Sequence, residues 1–551
     1  MGLWVHWALE DGDAREGAAA KSTRVMSFCN PADFLRQGLS PPKAATLEQD
    51  YWRLDGSFSP FPDNPADTAW GVWGTGLSGS TGSLTLYPTV TVTLSGQHSS
   101  AGLTLIFSPY EDNYPSRVQV TWYRNSTRLA SVTYKPESWR LVCDKTVTGY
   151  NKILIAIRAM QKPGRFARLT GIVFGREMCF GPEALTGAEI WEEVDLSGRS
   201  LPEDSFSATV FSEEDAFNIL DPEGLFAMLQ RRQALTVEGE LAGDYQPLGT
   251  FYLEDWSQPG PRQFRLRGCD ALGVMENTVF AGGMYTNVTG AALLAEIMND
   301  AGFSYTVEAA LAQKTVSGWL PRCSHREALR QALFALGGAA DSSRSGSLRF
   351  FVPSAMAAGQ IPLSRKTAAN YALTRNTAVT GVQVTGHDYV LGTATETLYA
   401  GTLEAGEQAI TFSKPAQVKG VSGAVLVSST VNGAVVRVTN AGKVTVTGQV
   451  YQDNTRMGEA RAAVTESGTE NLLTVDDATL VSCAEAPLAA ARLLAAAGRT
   501  LRQETGLWNT AVQVGQLYQT EVAPGVWRGG YVESLSLDGA TGEARAVIVS
   551  D

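Results

Sequence analysis

Residues 247–276 read PLGTFYLEDWSQPGPRQFRLRGCDALGVME. Phe251 and Leu253 stand two positions apart, and so do Phe264 and Leu266, the spacing that places alternate side chains on one face of a β-strand. A short spacer separates the two runs. The strand pattern ends at Asp270-Ala271-Leu272, where a short helix can begin. Working upstream, AEIWEEVDLSGRSLPEDSFSATVF (188–211) contributes Phe206, Ala208 and Val210, and GLFAMLQRRQALTVEGEL (224–241) contributes Leu235 and Val237, again at period two. Together these runs define a β unit.

Further upstream, from about Pro41 to Gly175, short alternating runs separated by turn residues continue: SLTLYPTVTVTLSG (83–96), GLTLIFSP (102–109), RVQVTWYRN (117–125), LASVTY (129–134), NKILIAIRAM (151–160) and RLTGIVFG (168–175). Strands this short and this regularly spaced predict an antiparallel sandwich. Lys162-Pro163-Gly164 reads as a turn before the last of these strands, and a boundary is expected near Glu177 to Pro182. Downstream, from roughly Thr289 to Phe351, the period changes to about 3.6. AALLAEIMNDAG (291–302) aligns Leu293, Leu294, Ile297 and Met298 and ends at Gly302. In SHREALRQALFALGG (324–338), Ser324 and Glu327 fit a capping box, Leu329, Ala332, Leu333 and Leu336 form the apolar stripe, and Gly337 stops the helix. The Asn287-Val288-Thr289 sequon reads as the start of a helix at Thr289 in a chain made in the cytosol. After Thr374 the pattern is β again, with hairpins in 421–451 in which Asn432-Gly433 suits a type I′ turn. One Ala- and Leu-rich helix, EAPLAAARLLAAAGRTL (485–501), precedes the closing strands.

The expected fold is therefore mainly β and multi-domain. It comprises an N-terminal region 1–178 with a sandwich core at about 41–178, a first β-barrel unit 179–288, an α/β insert 289–373, and a second β-barrel unit 374–551 with one helix. At 551 residues several domains are expected.

Hydrophobic residues make up 44% and charged residues 18% of the chain, an ordinary globular composition, and no run approaches the ~20 apolar residues of a membrane span. The opening MGLWVHWALEDGDAREG meets acidic residues too early to read as a secretory signal. With 44 Lys and Arg against 56 Asp and Glu, the net charge of −12 and the absence of a basic block exclude gripping phosphate backbones as the main task. The six cysteines (Cys29, Cys143, Cys179, Cys269, Cys323, Cys483) lie singly, without metal-ligand spacing, and read as thiols in a reducing compartment.

Catalytic signals are lacking. The four histidines (His6, His98, His325, His387) form no metal motif, and no nucleophile elbow, phosphate loop or dinucleotide fingerprint occurs. Glu254 with Asp255, or Glu213 with Glu214, would make a glycosidase pair only at a separation of ~5 to 9 Å, and acidic residues on exposed strand faces and turns are the better explanation. No catalytic residue, metal site or cofactor is expected. The aromatic stretch YWRLDGSFSPFPDNPADTAWGVWG (51–74), with Trp122, Tyr123 and Trp139, offers either a sugar-stacking platform or core filling. On the platform reading the carbohydrate-binding residues are Trp70, Trp73, Asp112, Tyr114 and Arg117, the last three from the loop SPYEDNYPSR (108–117).

Residues 247–276, the segment CSHREALRQALFALGGAADSSRSGSLRF (323–350) and the Ala-rich helix before VGQLYQTEV (514–522) resemble tail hub or tail-associated proteins of phages and prophages of Gram-positive gut bacteria, a likeness running from about Trp191 to the C-terminus. ATLEQDYWRLDGSF (45–58), HSSAGLTLIFS (98–108), YPSRVQVTWYRN (114–125) and RLTGIVFG (168–175) resemble a galactose-binding, discoidin-like jelly roll. The first resemblance implies a homotrimer whose duplicated barrel-like domains form a pseudo-sixfold ring in the virion. Its neighbours would be the tail tube or distal tail protein, the tape measure protein and the tip, spike or fibre proteins. Host-surface carbohydrate is an expected partner only of the jelly roll. No peptidase or lysozyme segment precedes Asp551, so a wall-degrading activity is expected to belong to another component. The competing readings are a glycan-binding adhesin and a carbohydrate-active enzyme.

Overall fold

A computed structural model describes residues 2–33, 43–48, 51–52, 58–65, 70–108, 113–211, 232–241, 244–462, 470–508 and 511–550. The protein is mainly β and multi-domain.

Its central feature is one sheet of 13 strands. The path begins at Gly175–Phe180 and passes through Leu3–Glu10, Ala234–Leu241, Asp244–Gly260, Gln263–Cys269, Ser205–Phe211 and Leu185–Glu193. It then continues through Val526–Asp538, Glu543–Ser550 and Leu501–Trp508 to Lys366–Arg375. Leu517–Ala523 branches from Val526–Asp538 and carries Ala357–Ile361 in parallel on its other side. The period-two residues behave as their spacing predicts: Phe206, Ala208, Val210, Leu235, Val237, Phe251, Leu253, Phe264 and Leu266 are all buried. They share a core with Val532, Leu535, Leu537 and Ile548 from the C-terminal strands. The two β units are therefore side by side in one sheet, joined where Ile190 faces Leu537, and a single apolar core spans the junction.

The sandwich is inserted between two strands of this sheet. Glu10 is the register partner of Gly175, so the chain leaves and re-enters the sheet at one point, and the stretch Glu177 to Pro182, expected to hold a boundary, begins inside the strand Gly175–Phe180 and runs just past its end. Five antiparallel strands, in the order Ala19–Thr23, Thr89–Ser100, Val147–Met160, Pro115–Arg124 and Thr127–Tyr134, face four. The four run Val72–Leu77, Phe166–Val173, Leu103–Phe107 and Arg140–Cys143. Val118, Val120, Trp122, Ile153, Ile155, Leu105 and Leu169 fill the space between.

The insert contains the helices Gly290–Ala301 and His325–Leu336 and the small sheet Tyr305–Val307, Leu348–Phe351, Ala339–Asp341. Its helix ends follow the sequence signals. Thr289 Oγ1 accepts from Ala292 N at 3.3 Å, Ser324 Oγ accepts from Glu327 N at 3.1 Å, and Gly302 and Gly337 close the two helices in the left-handed conformation at φ 78° and 69°.

The region after Thr374 contains a separate element. Gly381–Leu403 and Gly442–Arg461, of 23 and 20 residues, pair antiparallel and form a long arm, as the two central strands of a four-stranded sheet whose outer strands are Ala416–Ser422 and Leu472–Val475; at about 3.3 Å per residue the longer strand spans roughly 75 Å of chain. A distal module of short strands closes on Ile410, Phe412, Val436, Val438, Val444 and Val446. At the base, the helix Ala486–Ala497 packs across the arm through Ala486, Ala489, Ala490 and Leu493. Its approach requires Gly458, where a Cβ would come within 2.4 Å of the Ala486 carbonyl carbon and the Pro487 nitrogen.

The Asn432-Gly433 expectation is corrected. Neither residue takes a positive φ, Gly433 already belongs to the strand Gly433–Val438, and the connection turns at Val431 and Asn432. A type I′ turn needs φ > 0 at both central residues, which these positions do not supply. Asn432 is instead a docking residue. Its Oδ1 accepts from Trp319 Nε1 at 2.6 Å, and its Nδ2 donates to Ala281 O and Leu320 O, both at 2.8 Å, fastening the distal module to the insert.

Candidate functional site

The five residues selected for carbohydrate binding do not converge. Trp70 is 0% and Trp73 4% exposed, within a satellite cluster with Ala44, Met26, Phe28 and Cys29. Trp70 stacks on Phe61 at 5.6 Å and donates from Nε1 to Pro65 O at 2.7 Å. Neither indole offers a face to a sugar; burial, which contributes most of an aromatic ring's value, has claimed both. Tyr114 is half-buried against the sandwich core, and Arg117 is exposed on Pro115–Arg124. That strand belongs to the five-stranded sheet, whereas Trp73 belongs to the opposite one. Asp112 lies outside the described residues.

A pair that no sequence signal marked lies beside the tryptophans. Glu48 and Arg168, 120 positions apart, form a buried bidentate ion pair: Nη1 donates to Oε1 at 3.0 Å and Nη2 to Oε2. Phe166 N and Thr46 Oγ1 also donate to the carboxylate, at 2.8 and 2.7 Å. The guanidinium is held between the rings of Tyr51 and Trp73, 4.6 and 4.0 Å from their centroids. Charges removed from water persist only when paired and hydrogen-bonded, so this arrangement organises the sandwich edge.

A group of buried ionisable residues lies where the insert meets the central sheet. Asp204 precedes the strand Ser205–Phe211, and Asp270 caps the helix Ala271–Glu276 by accepting from Gly273 N at 3.0 Å. Ser342 of the insert places its hydroxyl 2.7 Å from Asp204 Oδ2 and 2.5 Å from Asp270 Oδ2. Burial, then the charge of Asp270, pushes the Asp204 carboxyl well up. Burial also raises Asp270 to about 6, against the pull of its hydrogen bonds from Ser342 and Gly273. Glu192, similarly raised by burial, receives Arg344 at 2.6 and 3.2 Å, and Asp341 receives Arg349 at 3.0 Å. Arg326 extends the joint by donating from Nε to Leu201 O at 2.8 Å and from Nη1 to Glu203 at 3.1 Å. This is a closed polar joint between the first β unit and the insert.

Of the expected carboxylate pairs, Glu254 and Asp255 are successive exposed residues of Asp244–Gly260 at a register shift, where Glu254 is the extra residue between Leu253 and Asp255; Glu213 and Glu214 lie outside the described residues. All four histidines sit against carboxylates: His6 and Glu238 at 3.3 Å, His98 and Asp11 at 2.8 Å, His325 and Asp300 at 3.0 Å, His387 and Asp453 at 2.8 Å. Among the described residues no cluster of three or more His, Cys, Asp or Glu is arranged to hold a metal ion, and no helix is long and apolar enough to cross a membrane.

No family model and none of the curated proteins matches this chain. Among solved structures it is similar to a 43 kDa tail protein of prophage MuSo2 from Shewanella oneidensis, at 12% identity over 68% of this chain and 95% of that one, with a TM-score of 0.40. It is similar to the tail protein from Neisseria meningitidis MC58 at 10% identity over 68% and 94%, with a TM-score of 0.40. Prophage tail protein gp18 from Listeria monocytogenes EGD-e overlaps at 10% identity over 68% and 91%, with a TM-score of 0.39. Likenesses this weak decide neither fold nor function.

Proposed function

We propose that this chain is a structural, non-enzymatic hub of a bacteriophage or prophage-derived tail. The observation that carries the reading is the central sheet: two β units side by side on one core, with an α/β insert between them in sequence. A chain that presents two such units becomes, as a closed trimer, a ring with six β units around its axis. That symmetry suits a junction between a sixfold tube and threefold tip proteins. On this reading the partners are two further copies of the chain, the tail tube or distal tail protein, the tape measure protein and the tip, spike or fibre proteins. The product resides in the virion, and DNA traverses the ring during ejection.

The single point of insertion at Glu10 and Gly175 supports reading the sandwich as a module hung on the hub, a galactose-binding-like domain available for host attachment. The joint of Asp204, Asp270 and Ser342, together with the docking of Asn432, supports a rigid structural role, because each buried polar group there serves to hold one unit against another.

Light scattering on the purified full chain tests the proposal. A mass three times that of the chain, or trimerisation on adding tail-tube or tip partners, supports it. A stable monomer that hydrolyses or tightly binds a glycan alone would replace it with a carbohydrate-active protein.

A further inference from the structure

The chain carries a net charge of −12, yet residues 101–175 hold 11 Lys and Arg against four Asp and Glu. The contrast is concentrated in the five-stranded sheet of the sandwich. Its strands, Ala19–Thr23, Thr89–Ser100, Val147–Met160, Pro115–Arg124 and Thr127–Tyr134, contain six Lys and Arg and not one Asp or Glu. Val118, Val120, Trp122, Ile153 and Ile155 turn into the core, so the alternate residues Gln119, Thr121, Tyr123, Lys152 and Leu154 stand on the outer face.

Register fixes where the charges lie. Tyr123 pairs with Arg128 on one side and Lys152 on the other, which sets these two cations two strands apart, about 10 Å. Lys21, opposite Thr91, stands two strands beyond Lys152. Arg158 lies six positions along the strand from Lys152, roughly 20 Å, and its Nη2 donates to Gln119 Oε1 at 2.8 Å. Lys152 rests 4.6 Å from the ring centroid of Tyr123, and Arg158 and Arg24 rest 4.0 and 5.3 Å from that of Tyr87. Lys21, Arg24, Arg128, Lys152 and Arg158 form no ion pair among the described residues. The side chain of Glu16, and Glu111 and Asp112, lie outside the described residues; Lys21 and Arg117 are nearest to them in sequence, so Arg128, Lys152 and Arg158 define the site. Between these cations the face offers hydroxyls and amides: Thr121 Oγ1 and Ser131 Oγ are 2.9 Å apart, and Gln119 Nε2 donates to Ser131 Oγ at 3.2 Å.

We propose that this face binds an anionic polysaccharide of a cell surface, laid over the strands with its acidic groups against Arg128, Lys152 and Arg158 and its sugar hydroxyls against Gln119, Thr121 and Ser131. This role rests on the reading of the sandwich as an attachment module, and it uses the sheet opposite the one that carries Trp73. Cations without carboxylate partners create a local positive field in an acidic chain, which favours a polyanion. Their spacing of about 10 to 20 Å meets several repeats of a polymer rather than one sugar. Nucleic acid fits less well, because single strands are held by stacking bases on open aromatic faces, and the rings of Tyr87 and Tyr123 already carry cations. An acidic protein fits less well too, because protein interfaces centre on large apolar anchors. The apolar residue at the centre of this face, Leu154, is half-buried between its register partners Thr91 and Thr121.

The test uses the full chain and a fluorescently labelled decamer of galacturonic acid, with its neutral methyl ester as the paired probe, followed by anisotropy at low salt. The acid is expected to bind at least about tenfold more tightly than the ester and to lose affinity as salt rises. Arg128→Glu and Lys152→Glu should each weaken binding by about tenfold or more, while Lys152→Arg retains it. Lys414→Glu, at an exposed position beside the distal module, should leave it unchanged. The acid and ester comparison on the unmodified chain needs no variant, so it holds even if a charge reversal fails to fold. Equal affinity for acid and ester would overturn the charged face while keeping the sandwich a glycan-binding module; binding of neither would remove the glycan altogether. A loss in Lys414→Glu equal to that in Lys152→Glu would also overturn the inference. Tighter binding of polyglutamate, single-stranded DNA or phosphatidylglycerol vesicles would overturn it in favour of an acidic protein, nucleic acid or a membrane surface. Light scattering reads the hub separately: a trimer indifferent to the acid loses this site and keeps the hub, and a monomer that binds the acid keeps this site and loses the hub.

Discussion

Asp204 and Asp270 are joined twice: the Asp270 backbone N–H donates to the Asp204 carbonyl at 2.9 Å, and their carboxyl groups meet across the hydroxyl of Ser342. A serine hydroxyl has one proton to donate. With both carboxylates ionised, one of the two contacts would set oxygen against oxygen without a hydrogen. The arrangement is complete only when one carboxyl is protonated and itself donates to Ser342 Oγ.

The pH dependence follows from that proton. Burial holds Asp270 at about 6 and Asp204 well above its ordinary value, while in the unfolded chain both ionise near the usual ~3.9. The folded form therefore binds more protons than the unfolded form between these values. The stability from the joint is full below about pH 4 and is lost as pH rises through about 6. The neighbouring Glu192 and Arg344, Asp341 and Arg349, and Glu203 and Arg326 set the background against which the pair titrates. Urea unfolding followed between pH 5 and 8 should show this loss in the native chain. Asp270→Asn, which keeps a good helix cap, should flatten the profile by about 1 to 3 kcal/mol. An unchanged slope would remove the shared proton from the account.

Breaking the Glu48–Arg168 pair on one side should be severe. Arg168→Met leaves a buried carboxylate without its cation, at a cost of about 3 to 5 kcal/mol, whereas Glu48→Leu with Arg168→Met should recover much of that loss. A double-mutant cycle by chemical denaturation checks the pair, and additive losses would count against the coupling.

Trp70 is predicted to act as a core residue. Trp70→Ala should destabilise the sandwich by about 3 to 5 kcal/mol, seen in thermal unfolding, whereas Trp139→Ala, at an exposed position, should leave the melting temperature unchanged. If Trp70→Ala melts like the native protein, the assignment of its ring to the interior is wrong.

Asn432→Ala should detach the distal module of the arm from the insert. The change strands Trp319 Nε1 and the carbonyls of Ala281 and Leu320, at roughly 1 to 3 kcal/mol for a buried group left unsatisfied. Hydrogen exchange should rise in Ala281, Trp319 and the strands beside the turn, while the central sheet is unaffected. Uniform exchange across the chain would point to global destabilisation instead.

Much of the local structure was legible beforehand. The helix ends at Thr289, Ser324, Gly302 and Gly337 follow from capping chemistry acting over three or four residues, and the buried faces of Phe206–Val210 and Phe264–Leu266 follow from a period of two. The candidate sites were much less legible. The sequence left Trp70 and Trp73 open to a platform as well as to the favoured core, because an indole is chemically the same residue in either place. Asn432-Gly433 carried a strong turn signal, yet three tertiary hydrogen bonds took Asn432 for a different purpose.

What the sequence determined by itself is which stretches extend, which coil into helices, and which side chains of each turn inward; these are properties of neighbouring residues. Only the tertiary structure decided the partners. Nothing in LWVHWALE assigns Leu3–Glu10 to lie between Gly175–Phe180 and Ala234–Leu241, and nothing near Glu48 names Arg168. Backbone donors and acceptors are the same on every strand edge, so the pattern of one strand cannot identify another. Pairing is chosen by the apolar surface that the whole set of strands buries together and by the few buried charges that must find each other once water is excluded.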